Sequence, residues 1–339
     1  MKTVLTGGPS SSTDRTPACG GERRKREVPG SSPGGPMGVK MDIFEPYFKA
    51  GEIAEKTRAF ATSIVKIGAN VLDICEKIEG FIKSRGGEPA FPCNICINEI
   101  AAHYTADRMD VLKIPEQSLV KIDFGVHVDG YIVDTAITVV LDERYLLLKE
   151  VAEEALRKAL KNIKASVNVY DIGEVISKVA NAYGLKPIKN LSGHEIARYN
   201  LHAGISIPNI PLRGGKFKLH GVYAIEPFIT EHWADGTVIE SGKPTIYRCI
   251  SYKKIKDVEA NAFLKILWDK FDGLPFAERW IYATKLEYNV ENTWFKLKNS
   301  PFIKIYRPLV EVSRGFVAQA EETILVVEDG VIGLTGFIL

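Results

Sequence analysis

Cysteine is scarce. The chain has five in 339 residues, an odd number, which excludes a disulfide framework and suits a reducing compartment. Cys93 and Cys96 form a CxxC, but no second pair follows at zinc-ribbon spacing. No apolar run approaches the ~18 residues of a membrane-spanning helix. The opening "MKTVLTGG" lacks the apolar core of a signal peptide. Net charge is also small, at +2. Residues 1–40 hold seven Lys/Arg and three Asp/Glu, so that stretch carries +4 and the other 299 residues carry −2. A nearly neutral body argues against specific nucleic acid as the partner. These absences describe a cytoplasmic protein that keeps away from membranes.

What is present falls into three parts. Residues 1–40 are rich in Gly, Ser, Pro and charge and cannot bury enough surface to offset ordering, so a disordered leader is expected. Its "ERRKRE" suits an electrostatic arm for RNA or ribosome, or else the leader is not native, since Met37 and Met41 offer other starts. Residues 41–252 and 306–339 form the main domain, and 253–305 an aromatic, helical insert. Helical spacing runs through "FEPYFKAGEIAEKTRAFATSIVKI", "VLDICEKIEGFIKSRG" and "DERYLLLKEVAEEALRKALKNI". In the last of these Leu148, Ala152, Leu156, Leu160 and Ile163 share one face. In "DIGEVISKVANAYG", Asp171 is the expected N-cap and Gly184 the stop. "KIDFGVHVDGYIVDTAITVV" reads as a hairpin turning at "VDG", and a second hairpin is expected at "EDG" near residue 330. Helices and strands interleave without regular βαβ spacing, which gives an α+β class.

Seven polar residues stand in apolar text: His103, Asp123, Asp134, His194, His202, Glu226 and Glu321. A lone histidine of this kind is usually a satisfied core group. Asp134, among Ile, Val and Ala in a strand, needs a charge partner. Two Asp, two Glu and one His make an oxygen-rich set, enough for two divalent cations of the Mn, Fe, Co or Zn type. Periodicity alone does not select these five.

In this order, "FPCNICINEIAAHYTAD", "KIDFGVHVDGYIVDTA", "LSGHEI", "YAIEPF" and "AQAEETIL" resemble the signatures of the type 2 methionine aminopeptidases, in an archaeal-looking form. The resemblance runs from about Asp42 to Leu339. It implies a pita-bread α+β fold with a small helical insert and two divalent metal ions (Co, Mn, Fe or Zn) in a central cleft. It also implies Asp123, Asp134, His194, Glu226 and Glu321 as metal ligands, with Glu226 doubling as general base for attack by a metal-bridging hydroxide. Glu322 then points the other way, as the outward neighbour. His103 and His202 would contact the substrate or the developing intermediate, and Phe91 and Tyr306 would line the methionine pocket. The implied substrates are N-terminal Met peptides and nascent chains, with contact to the ribosome possible and a monomer expected.

One stretch departs from that pattern. "ITEHWADGTVIESG" is longer than the family's loop and carries His232 and Trp233 near the expected rim; it is either a variable surface loop or an altered entrance. Aminopeptidase P and prolidase share the fold and all five ligands, so the insert and the "FPCN" and "AAHYT" contexts favour methionine removal. A binding protein of this fold without catalysis would be expected to lack ligands that this chain keeps.

Overall fold

The computed structural model describes residues 41–251, 255–283 and 290–337, so the expectations for the basic leader lie outside it. Seven α-helices are present among the described residues: α1 (Glu45–Ile64), α2 (Val71–Ser84), α3 (Leu146–Asn162), α4 (Val169–Ala182), α5 (Val258–Phe271), α6 (Glu278–Tyr282) and α7 (Val290–Leu297). They alternate with short strands in five sheets, a mixed α+β arrangement. No helix is long and apolar enough to cross a membrane among these residues.

Local chemistry explains the helix limits. At α2 the Asn70 side chain accepts from Asp73 N at 3.0 Å and caps the first turn. At α4 the cap is Asn168, which accepts from Tyr170 N at 3.0 Å. The expected cap, Asp171, instead sits in the first turn, where its charge still favours the helix N-terminus. Gly184, at φ +69°, stops α4 as expected. On α3, Leu148, Ala152, Leu156 and Leu160 are all buried, and so is Ile163 just past its end.

The long hairpin pairs Leu119–Val128 with Tyr131–Val140, so only Asp129 and Gly130 turn the chain. Both have positive φ, 51° and 82°, which suits the tight hairpin turn that Asp-Gly favours. Asn94–Ile97 flanks the hairpin in a four-stranded sheet. Residues of α1, α2 and the hairpin bury one apolar cluster together, including Ala50, Ile53, Ile78, Ile122, Phe124 and Val133. A second cluster joins α3 and α4 to the five-stranded sheet that contains Ser192–Ile196, Val222–Ile225 and Glu322–Val327.

Two chains leave that five-stranded sheet at the same level. Val222–Ile225 gives way to Phe228–Thr230, and Val317–Gln319 precedes Glu322–Val327; the outer pieces belong to a separate three-stranded sheet. Ile225 pairs with Glu322 and Phe228 with Gln319, which leaves Glu226, Pro227, Ala320 and Glu321 in the gap. The second hairpin, Glu322–Val327 with Gly330–Gly333, turns at Glu328–Asp329.

Residues expected to form the insert hold an apolar cluster of their own, with Phe263, Leu264, Leu267, Phe276 and Trp294. It is less purely helical than its sequence suggests. Pro275–Ala277 and Ile303–Tyr306 flank Ile246–Cys249 in a small sheet, which draws Tyr247 and Cys249 into the same cluster. A buried ion pair ties this part to the rest. Arg279 on α6 pairs with Glu79 on α2, and Glu79 also accepts from Trp280 Nε1 at 2.8 Å and Cys93 N at 3.1 Å. Arg279 further donates to Thr105 Oγ1 at 2.7 Å and Ala106 O at 2.8 Å. Removing one partner strands a buried charge. Arg279→Met is therefore expected to cost about 3–5 kcal/mol in chemical denaturation, and adding Glu79→Gln should recover part of it. A loss below about 1 kcal/mol would contradict this account of the pair.

Candidate metal centre

Pleating decides which carboxylates meet. Asp123 lies opposite Ala136 and Asp134 opposite Gly125, so the two aspartates are diagonal neighbours on one hairpin face. Gly125 has a packing role: a Cβ there would come within 2.5 Å of Phe91 Cε1. Ser192–Ile196 brings His194 in from the five-stranded sheet, and its Nε2 lies 3.5 Å from Asp134 Oδ2. Glu226 and Glu321 come from the paired gap described above, where no ladder holds their backbones flat.

All nine side chains singled out in the sequence line one cavity: Phe91, His103, Asp123, Asp134, His194, His202, Glu226, Tyr306 and Glu321. Apolar walls come from Ala102, Leu191, Leu201, Phe228 and Ile246. The ligand atoms of Asp134, His194 and Glu321 all lie within 4.8 Å of one another. Asp123 and Glu226 share the cavity but fall outside that tight group. The His194 and His202 rings lie 4.2 Å apart between centroids, tilted by 49°, and His103 meets Tyr306 edge-on at 5.5 Å. His103 has a φ of +64°, an uncommon backbone for a residue with a side chain.

The charges are crowded. Asp123, Glu226 and Glu321 are pushed well above the usual carboxylate range, first by burial and then by neighbouring carboxylates. Burial also raises Asp134, with His194 pulling it back. Burial lowers His103 to about 4, so its imidazole is neutral at pH 7. His202 lines the cavity with part of its surface exposed, yet burial of its ring holds it well below its usual value, and His194 adds to the effect.

A divalent cation fits these residues. Asp123 Oδ1, Asp134 Oδ1 and His194 Nδ1 are buried without a hydrogen-bond partner, and such atoms are costly unless something compensates them. A set of carboxylate oxygens with one imidazole suits Mn, Fe, Co or Zn rather than a thiolate-seeking ion.

Several supporting residues were not foreseen. Asn94 Nδ2 donates to Asp123 Oδ2 at 3.1 Å, and Gln319 Nε2 to Glu321 Oε2 at 3.3 Å. Asn94 stands directly across the strand from Asp123, and Gln319 lies two residues before Glu321, so register and alternation were the available signals. Glu322 does turn away from the cavity, but it is not outward. It is fully buried, and its carboxylate accepts from Thr335 N at 2.5 Å and Phe337 N at 2.8 Å. The Thr230–Gly236 loop is held by Lys186, Lys189 and the 313–316 segment, through bonds such as Lys186 Nζ to Ala234 O at 2.7 Å. His232 and Trp233 are exposed, and neither lines the cavity.

Residues 46–328 match metallopeptidase family M24. A methionine aminopeptidase of Methanocaldococcus jannaschii is 41% identical over 294 residues, covering 86% of this chain and 98% of that protein. Among solved structures, a thermophilic Arx1 superposes with a TM-score of 0.75 at 18% identity, over 88% of this chain and 92% of the other. The methionine aminopeptidase of Thermotoga maritima superposes with a TM-score of 0.62 at 22% identity, over 86% and 96%.

Proposed function

The chain belongs to metallopeptidase family M24, and from that premise we propose that it removes the N-terminal methionine from peptides and nascent proteins by metal-dependent hydrolysis, with Glu226 as general base. The observation that carries the residue assignment is the single cavity. Five candidate ligands converge there from four separate stretches of chain, together with two histidines and an apolar wall.

Asp123, Asp134, His194, Glu226 and Glu321 are the residues that would hold two divalent ions (Co, Mn, Fe or Zn). Such ions, when bound, polarise the scissile carbonyl and acidify water. The Glu226 carboxylate then accepts the proton of the attacking water and passes it to the leaving amine. His103 and His202, as neutral imidazoles, offer N–H donors where negative charge grows on the carbonyl oxygen. Phe91 and Tyr306 bound the apolar end, where the methionine side chain sits. At about 240 Å³ the cavity is smaller than the roughly 300–1,000 Å³ of common small-molecule sites, which suits one anchored residue better than a long segment. Residues 253–305, with their own apolar cluster, are the type 2 insert on this reading, and the enzyme is a cytoplasmic monomer whose nascent substrates place it near the ribosome.

The test is release of free methionine from a Met-Ala-Ser peptide with added Mn or Co, alongside an Xaa-Pro peptide. Methionine release without Xaa-Pro cleavage supports the reading. Cleavage of the proline peptide alone would move it to the proline-specific branch of the fold.

A further inference from the structure

Asp134 lies in the hairpin and Glu321 in the gap between two other sheets, and no strand ladder sets the distance between them. Their spacing depends on a few bonds between the hairpin and the gap. Glu321 N donates to Ala136 O at 3.1 Å. The Thr323 hydroxyl accepts from Asp134 N and donates to Asp134 O, both at 2.7 Å. The Thr135 hydroxyl donates to Glu321 O at 3.1 Å.

A third element completes the joint. Arg58, on α1, donates through Nη1 to Thr135 Oγ1 at 2.7 Å and to Glu321 O at 3.3 Å. One guanidinium nitrogen thus holds the chain neighbour of Asp134 and the backbone of Glu321 together. Thr135 is fully buried, so no solvent competes for its hydroxyl. The guanidinium also lies 6.0 Å from the Phe337 ring, which limits its swing.

We infer that Arg58 is a positioning residue: acting through Thr135, it fixes the separation of Asp134 and Glu321 and so sets the affinity of the site for a divalent cation. The inference rests on those two side chains being metal ligands. Ligand sites lose function when their geometry loosens by about 0.5 Å, and outer partners of metal ligands typically govern about 10–100-fold in affinity.

The experiment titrates Mn²⁺ alone into the metal-free full chain by calorimetry and follows unfolding of the same metal-free proteins. Arg58→Met and Thr135→Val should each bind Mn²⁺ about 10–100-fold more weakly, while Thr135→Ser, which keeps the hydroxyl, stays close to the parent. If Arg58→Met does not fold, Thr135→Val against Thr135→Ser carries the comparison. Weaker metal-free stability with affinity unchanged within about twofold would make Arg58 a structural residue only and overturn the inference. Asp134→Asn separates the two layers of the argument. Undiminished Mn²⁺ binding there would overturn the ligand assignment, and this inference with it.

Discussion

Glu226→Gln is expected to slow methionine release from a Met-Ala-Ser peptide by about 10²–10⁴-fold, the usual contribution of a positioned general base. The amide has nearly the same shape, so packing in the gap between Ile225 and Phe228 is preserved. It cannot take up a proton. Its effect on the metal-free fold should be small or even favourable, because it removes an ionisable group that burial, and then Asp134 and Asp123, already disfavour in its charged form. The loss should appear in kcat, with KM nearly unchanged, because substrate anchoring falls to the apolar walls and the histidines. Retention of more than about a tenth of parental turnover would remove Glu226 from the role of base.

Chelation is expected to abolish turnover and to lower the unfolding midpoint by several degrees, with Mn²⁺ restoring both. At a free ion concentration about a thousandfold above Kd, binding stabilises the folded state by about 4 kcal/mol. The gap between loaded and metal-free protein should also widen as pH rises. Buried carboxyls with raised values keep their protons in the folded state after the unfolded chain has released them. Their stabilising contribution is complete below the ordinary carboxylate range, near pH 4, and is lost as pH climbs through the raised folded values. A bound cation removes that penalty because it favours the ionised forms. Midpoints that stay the same with and without chelator from pH 5 to pH 8 would sink the metal-centre reading.

What the sequence disclosed, and what it hid, follows physical lines. Asp123 and Asp134 were conspicuous because ionised groups rarely stand in apolar strands. The Asp129–Gly130 turn was readable because so few residue pairs tolerate two positive φ angles in succession. The buried face of α3 followed from spacing alone. Contacts were the hidden part. Asn94 supports Asp123 from 29 residues away, and Arg58 reaches Thr135 across 77, so both depend on sheet register and helix docking. The cap of α4 was misplaced by three residues because Asn168 and Asp171 are both good caps, and only the chain's approach through Val167 and Asn168 chooses between them. The insert read as helical because Pro275–Ala277 and Ile303–Tyr306 are strands too short to show alternation.

The bonds from Glu322 to Thr335 N and Phe337 N have a practical consequence for anyone handling this enzyme. The backbone at Thr335 and Phe337 is registered on the side chain next to Glu321, so this stretch is a poor place for an inserted tag or a protease site. Losing the donors at Thr335 and Phe337 would leave a fully buried carboxylate unpaired one residue from Glu321, and the damage would surface first as weaker binding of added divalent ions by a protein that keeps its shape.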